Sequence, residues 1–129
     1  MAHEEILIVD DHPQNLKLAR VVLEREGYLV RAAKDAEEAL HMLASFKPRL
    51  ILMDLQLPGL DGLSLTRRVK ADPTLRNILV IALTAYAMKG DEEKAFAAGC
   101  DGYLAKPVDI DNLAAMVAAH LARGPALTL

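Results

Sequence analysis

Short apolar segments alternate with helix-forming segments along the whole chain, and this alternation limits the possible folds more than any other feature. Three of the five apolar segments are unbroken runs, as expected for parallel strands that are covered on both faces of a sheet. Strands that alternate with helices imply right-handed crossovers and helices on both sides of one sheet. The sequence therefore predicts a doubly wound α/β fold with a five-stranded parallel sheet. The predicted strands are Ile6–Val9, Tyr28–Ala33, Leu50–Met53, Leu79–Leu83 and Gly102–Leu104.

The segments between the strands place apolar residues three or four positions apart, which is the spacing of one helical face. Asp35 followed by Glu38 is typical of a capping box and predicts the start of the second helix. The positions that indicate five helices are Leu16, Ala19 and Leu23; Ala36, Ala39, Leu40 and Leu43; Leu65 and Val69; Met88 to Ala98; and Ile110, Leu113, Val117 and Leu121.

Length and composition indicate one domain. The 129 residues are 53% hydrophobic, which is enough to bury a core. We expect the domain to span residues 1–123 and residues 124–129 to form a short frayed tail. The formal net charge of −3 argues against direct binding to nucleic acid. One cysteine, the lack of a signal pattern and the lack of a bilayer-length apolar run predict a cytoplasmic protein that does not insert into membranes.

Polar residues follow the predicted strands, at the edge where parallel sheets bind ligands. Asp10 and Asp11 end the first strand, Asp54 ends the third, Thr84 ends the fourth, and Lys106 follows the fifth. We expect these three carboxylates, the hydroxyl and the ammonium group to converge. Three carboxylates repel one another strongly unless a cation neutralises them. Hard oxygen ligands select Mg²⁺, whereas no His–Cys pair has a spacing suited to zinc.

A magnesium ion beside a carboxylate, an ammonium group and a hydroxyl is an arrangement for phosphoryl transfer. In this interpretation Asp54 is the nucleophile, and Mg²⁺, Lys106 and Thr84 each hold one phosphoryl oxygen. An aspartate before a turn usually only caps or shapes that turn. The convergence with the other polar strand ends favours the site over this simpler explanation.

Four motifs resemble the receiver domains of two-component response regulators, the CheY-like family. They are ILIVDDHPQN, LILMDLQLPGLDG, ALTAYA and GYLAKP, in this order between about Ile6 and Leu121. The resemblance implies the flavodoxin-like (βα)5 receiver fold with strand order 2-1-3-4-5. The segment TAYAMKGDEEKAFAAGCDGYLAKP looks most similar to single-domain cell-cycle regulators of the DivK type.

The resemblance also implies a role for each site residue. Asp54 would accept a phosphoryl group from a phosphohistidine on a histidine kinase or a histidine phosphotransferase. Asp10, Asp11, Asp54 and the backbone carbonyl of Gln56 would hold Mg²⁺, and Lys106 would contact the phosphate. The chain would then be a phosphoacceptor signalling protein that takes part in its own phosphorylation and dephosphorylation, and not a metabolic enzyme.

The resemblance implies a switch as well. Thr84 and Tyr103 would be the switch pair, and the peptide bond before Pro107 would be cis. A downstream effector protein would bind the face formed by helix 4, strand 5 and helix 5. On helix 5 we expect the stripe through Leu113, Val117 and Leu121 to face the sheet, which would leave Met116 and small alanines on the outer side.

His12, directly after the acid pair, is expected to face solvent at the start of the first helix and not to bind a metal. Three alternatives to a stand-alone regulator remain at this point. A phosphatase of the haloacid dehalogenase type would place its nucleophile after strand one in a D-x-D pattern, which this chain lacks. A flavodoxin-type flavin carrier would need a hydroxyl- and glycine-rich loop there, where this chain has acids. The chain could also be a receiver module of a hybrid histidine kinase.

Overall fold

The computed structural model describes residues 4–57, 61–84, 90–106 and 109–123. The predicted tail at residues 124–129, the Lys106–Pro107 peptide bond and the predicted start of the fourth helix at Met88 lie outside this part of the chain. None of the helices in the described ranges is long and apolar enough to cross a membrane. The elements are β1 (Glu5–Val9), α1 (Pro13–Arg25), β2 (Leu29–Ala33), α2 (Ala36–Leu43), β3 (Leu50–Asp54), α3 (Gly62–Ala71), β4 (Leu79–Thr84), α4 (Asp91–Ala98), β5 (Gly102–Ala105) and α5 (Ile110–Arg123).

The five strands form one parallel sheet in the order β2-β1-β3-β4-β5, which confirms the predicted fold and strand order. The central strands β3 and β4 are buried along their whole length. Helices cover both faces of the sheet, so neither side of these strands meets water. This burial explains why the sequences of β3 and β4 are unbroken apolar runs.

Successive side chains of each strand enter two separate cores. One core lies between the sheet and the helices α2, α3 and α4, and it includes Leu7, Ile51 and Val80. The other lies between the sheet and the helices α1 and α5, and it includes Ile8 and Leu52. Each fully buried side chain of this size stabilises the fold by about 1.5–3 kcal/mol. The two cores hold the sheet between two helical layers and so fix the positions of the strand ends.

The predicted capping box at the second helix is confirmed. The side chain of Asp35 accepts a hydrogen bond from the backbone N–H of Glu38 at 2.8 Å. The Glu38 carboxylate reaches back and accepts from the backbone N–H of Lys34 at 3.0 Å. Two donors that a helix start would leave without partners are thereby satisfied.

Helix α5 departs from its predicted orientation. Leu113 and Val117 are buried as expected, but the third buried position is His120, and Leu121 is only half-buried. The prediction that Met116 lies on the outer side is wrong, since it is half-buried and packs against the core beneath α1 and α5. In the inner position of His120, Nδ1 lies 2.9 Å from the carbonyl oxygen of Met116 and Nε2 lies 3.0 Å from that of Asp101, and a ring nitrogen that carries a proton donates to its carbonyl there.

Candidate functional site

The register of the sheet brings the predicted site residues to one edge. Val9 of β1 pairs with Met53 of β3, so Asp10 and Asp54 come next on neighbouring strands. Lys106 follows β5 at the same edge, and its Nζ lies 3.2 Å from Oδ2 of Asp10 and 3.4 Å from Oδ2 of Asp54. The predicted convergence of acids and ammonium group is therefore present.

Asp54 is the most deeply buried of the acids, with none of its surface exposed. Its Oδ1 accepts a hydrogen bond from the backbone N–H of Gln56 at 3.0 Å. Its Oδ2 accepts no hydrogen bond of good geometry from the described residues, and only the Nζ of Lys106 stands nearby. The buried carboxylate is therefore stabilised by one backbone N–H and by the ammonium group of Lys106.

Burial raises the pKa of Asp54 above its ordinary value. The backbone N–H of Gln56 opposes this rise, the negative charge of Asp10 adds to it, and the ammonium group of Lys106 opposes it again. The direction of the pKa shows that burial and like charge outweigh the hydrogen bond and the lysine. Burial is the largest cause of the rise, and the three carboxylates beside one ammonium group also leave the site with less positive than negative charge.

A divalent cation fits that shortage. Ligand atoms of Asp10, Asp11, His12 and Asp54 all lie within 4.8 Å of one another. Three carboxylates and the single ammonium group of Lys106 leave two negative charges when His12 is neutral. Oδ1 of Asp11 is also buried, and Nδ1 of His12 lies 3.1 Å from it. Hard oxygen ligands with this charge suit Mg²⁺, while the ligand role of the Gln56 carbonyl stays a prediction.

The side chain of Gln56 has a role that the sequence did not predict. Its Nε2 donates a hydrogen bond to Oγ1 of Thr84 at 2.7 Å, across a separation of 28 residues. Thr84 is almost completely buried at the end of β4. A hydroxyl can accept two hydrogen bonds and donate one, so the bond from Gln56 does not use the hydroxyl proton. Gln56 therefore orients the hydroxyl without consuming its donor.

Gly62 is a second residue that sequence reasoning missed. A Cβ atom at this position would collide with the backbone carbonyl oxygen of Asp54 and would lie 2.8 Å from the Cα of Leu55. The first turn of α3 therefore packs directly on the end of β3, and only glycine permits this approach. Asp61 starts the helix there by accepting from the backbone N–H of Ser64 at 2.8 Å. The sequence did contain a signal for this role, because Gly62 follows the helix-capping residue Asp61 a few positions after β3.

Tyr103 lies on β5, half-buried against the core beneath α2, α3 and α4. Its hydroxyl is buried and has no hydrogen-bond partner in the described part of the chain. Burial raises the pKa of Tyr103, and the charges of Asp91 and Glu92 at the start of α4 add to the rise. The structure therefore places Tyr103 between β5 and α4, and its part in a switch stays a prediction.

An apolar cavity of about 140 Å³ opens beside the acidic site, between α1 and α5. Asp10 and Lys106 line it at the site, and Leu18 and Ile110 line it from the two helices. Leu18 and Ile110 are 48% and 45% exposed, which is high for large apolar side chains. The cavity therefore connects Asp10 and Lys106 to a surface that is partly apolar.

Comparisons with known proteins agree with this geometry. The family described as response regulator receiver domain matches residues 6–118. The polar-differentiation response regulator DivK of Brucella anthropi is 41% identical over 118 residues, which cover 92% of this chain and 96% of that protein. The receiver domain of a signal transduction histidine kinase from Syntrophus aciditrophicus is 34% identical, with a TM-score of 0.86 and 98% of both chains covered.

A further solved structure bears on the metal. The receiver domain of a sensor histidine kinase from Pseudomonas aeruginosa holds a magnesium ion in its active-site cleft. It is 37% identical to this chain, with a TM-score of 0.85, and the match covers 94% of this chain and 99% of that one.

Proposed function

The chain belongs to the response regulator receiver family, and from this membership and its acidic site we propose that Asp54 accepts a phosphoryl group from a phosphohistidine donor. Receiver domains are signalling proteins of two-component systems. One observation carries the assignment to Asp54: this fully buried carboxylate has an oxygen that accepts no hydrogen bond from the described residues, beside a lysine and two further acids.

The transfer uses the side chains at the ends of the strands. A carboxylate oxygen of Asp54 forms a bond to phosphorus, the N–P bond of the donor breaks, and its electron pair returns to the donor imidazole. Lys106 stands between Asp10 and Asp54 and can contact a phosphoryl oxygen with little movement. Thr84 donates its hydroxyl proton to another oxygen.

Asp10, Asp11, Asp54 and the backbone carbonyl of Gln56 form the proposed magnesium site. When bound, Mg²⁺ offsets the negative charge that the carboxylates and the phosphoryl oxygens bring together. The excess of negative charge in the cluster and the close approach of its ligand atoms, all within 4.8 Å of one another, support this metal role.

Labelling by a small phosphodonor tests the chemistry. The wild-type chain should be labelled by acetyl phosphate only when Mg²⁺ is present, and Asp54→Asn should lose the label completely. Asp101→Asn is the matched control, because Asp101 is an ion-paired aspartate at the opposite end of the sheet. An aspartyl label that persists in Asp54→Asn would assign the phosphoryl group to another residue.

The donor protein should dock over the cavity between α1 and α5. A histidine kinase or a histidine phosphotransferase must bring its phosphohistidine to Asp54, and the exposed apolar side chains of Leu18 and Ile110 border the same cavity as Asp10 and Lys106. Exposed apolar patches next to a site mark surfaces that bind proteins.

A charged side chain at Leu18 tests the docking surface. Leu18→Glu should slow transfer from a protein donor about tenfold or more, while labelling by acetyl phosphate stays unchanged. Leu29→Glu is the matched control, since Leu29 is 54% exposed on the edge strand β2, away from the cavity. Equal transfer rates in both variants and the wild type would place the donor elsewhere.

The effector should bind the face formed by α4, β5 and α5, and Thr84 and Tyr103 should couple this face to Asp54. The exposed apolar side chain of Phe96 on α4 supports this, at 45% exposure. A charge-assisted hydrogen bond from Thr84 to the phosphoryl group would bias a two-state element. Thr84→Ala should still be labelled, but the NMR shifts of Tyr103 and α4 should no longer respond to phosphorylation. A full response in this variant would show that the coupling avoids Thr84.

We further propose that residues 1–123 form a stand-alone regulator in the cytoplasm. The support is that the match to DivK covers 96% of that relative, and that the single cysteine fits a reducing compartment. Membership in the receiver family sets aside the phosphatase and flavin-carrier alternatives. The hybrid-kinase alternative has support in the similar kinase receivers. An immunoblot of native lysate decides, because a stand-alone chain runs near 14.1 kDa.

A further inference from the structure

His12 is exposed at the start of α1, as expected from the sequence, but its ring also approaches the acids. It caps the start of α1, and its side chain is 61% exposed. Its Nδ1 nevertheless lies 3.2 Å from Oδ1 of Asp10 and 3.1 Å from Oδ1 of Asp11. The carboxylate cluster therefore has a nitrogen atom at its rim.

The spacing of these three atoms suits one shared metal ion. In an octahedral site with bonds of about 2.1 Å, neighbouring ligand atoms lie about 3.0 Å apart. The nitrogen of His12 lies at nearly this distance from both carboxylate oxygens. The backbone N–H of His12 also donates to Oδ1 of Asp10 at 2.9 Å, which holds that carboxylate beside the ring.

A second observation points to a ligand at the same place. Asp54 belongs to the same group of ligand atoms, all within 4.8 Å, and none of its surface is exposed. Its Oδ2 accepts no hydrogen bond of good geometry from the described residues. The nearest donor to this buried oxygen is the Lys106 ammonium group, at 3.4 Å, and a cation at the centre of the cluster would satisfy the oxygen more directly.

We propose that His12 is a metal ligand and that it raises the affinity of the acidic site for divalent transition ions, such as Co²⁺ or Ni²⁺, relative to its affinity for Mg²⁺. Mg²⁺ takes oxygen ligands, whereas neutral imidazole suits transition ions, whose affinity for nitrogen and oxygen sites rises along the series towards copper. The inference rests on the metal site of the proposed function, but it does not depend on phosphoryl transfer.

The contacts of His12 also have a simpler explanation. A proton on Nδ1 could be shared between the carboxylates of Asp10 and Asp11, so that the ring would only neutralise the acids. In that case His12 would influence every divalent ion alike, because its effect would pass through the carboxylates. A ligand acts differently, since its loss weakens only the ions that bind imidazole well.

Calorimetric titration with Mg²⁺ and with Co²⁺, on protein without a histidine tag, separates the two. His12→Ala should lower the affinity for Co²⁺ about tenfold or more, and should leave the affinity for Mg²⁺ within about twofold. His12→Gln should behave in the same way, because it keeps a hydrogen-bond donor but lacks the imidazole. His41→Ala is the matched control, an exposed histidine on α2 outside the cluster.

The visible absorption of bound Co²⁺ provides a second readout. It should change in His12→Ala and stay unchanged in His41→Ala, because only a ligand alters the coordination shell. Equal losses of affinity for both ions, or no loss for either, would overturn the proposal. Failure of acetyl phosphate labelling at Asp54 would instead count against the proposed function alone.

Discussion

Asp54 and Asp101 lie at opposite ends of the same sheet, and they differ in how well their charges are paired. Asp101 precedes β5, and its Oδ2 accepts from Nζ of Lys70 and from the backbone N–H of Val80, both at 2.9 Å. Asp54 is more deeply buried, yet its Oδ2 accepts no such hydrogen bond among the described residues. The more buried carboxylate is therefore the less satisfied one.

This difference separates a structural ion pair from a site that is prepared for a ligand. Nζ of Lys70 also donates to the backbone carbonyls of Ile78 at 2.7 Å and Arg76 at 3.3 Å. It thereby ties the end of α3 to the starts of β4 and β5. At the other end, Lys106 is shared between Asp10 and Asp54. The first arrangement needs no ligand, whereas the second has an excess of negative charge that the proposed cation would offset.

Removal of the structural lysine should have the largest effect on stability. Lys70→Met leaves the Asp101 carboxylate with no opposite charge, so the free energy of unfolding should fall by about 2 kcal/mol. Lys17→Met, an exposed position on α1, should change it by less than about 0.5 kcal/mol. Urea unfolding measures both. If Lys70→Met is as stable as the control, the pairing of Asp101 has no structural importance.

Removal of an acid from the unpaired cluster should have the opposite sign. Asp11→Ala relieves repulsion among three carboxylates, so the metal-free protein should gain about 1 kcal/mol of stability. The same variant should lose about tenfold in affinity for Mg²⁺. Thermal melts with and without Mg²⁺ measure both effects. A metal-free variant that melts below the wild type would contradict the repulsion argument.

Ionisation of Asp54 should make the free energy of unfolding depend on pH, with a smaller effect than the two substitutions above. Because the pKa of Asp54 is raised in the folded protein, the folded state binds this proton more tightly than the unfolded state does. At a pH above the pKa of Asp54 in the folded protein, the ionised carboxylate lowers the free energy of unfolding. As the pH falls through this pKa towards the pKa of the unfolded chain, the lost stability is regained. Urea unfolding from pH 7 downwards, without metal, should show this gain in the wild type and not in Asp54→Asn.

The residues that sequence predicted well are those whose position follows from strand order. Asp54 and Lys106 were expected to meet because parallel strands end at one edge, and they do so at 3.4 Å. Lys106 and Asp10 meet across 96 residues for the same reason. In both cases the order of the parallel strands was sufficient for the prediction, since it places residues that follow different strands at the same edge of the sheet.

The predictions that failed depend on side-chain packing. Helical spacing predicted Leu121 as an inner residue of α5, and Leu121 does pack against the core, but the spacing did not predict that His120 is buried as well. The spacing also placed Met116 outside, although it packs against the core beneath α1 and α5. A helical period defines a stripe only to within about one residue position, and the contacts then select which side chain is buried.

The sequence alone determined the order of the elements, the parallel sheet and the five polar residues at four strand ends, because periodicity and strand order are properties of the chain. Only the tertiary structure decided how individual side chains use that edge. The ring of His12 turns towards the acids, the amide of Gln56 reaches Thr84, and Gly62 lets α3 pack on the end of β3. These contacts depend on rotamers and on distances between elements far apart in the chain, and no local pattern encodes either of them.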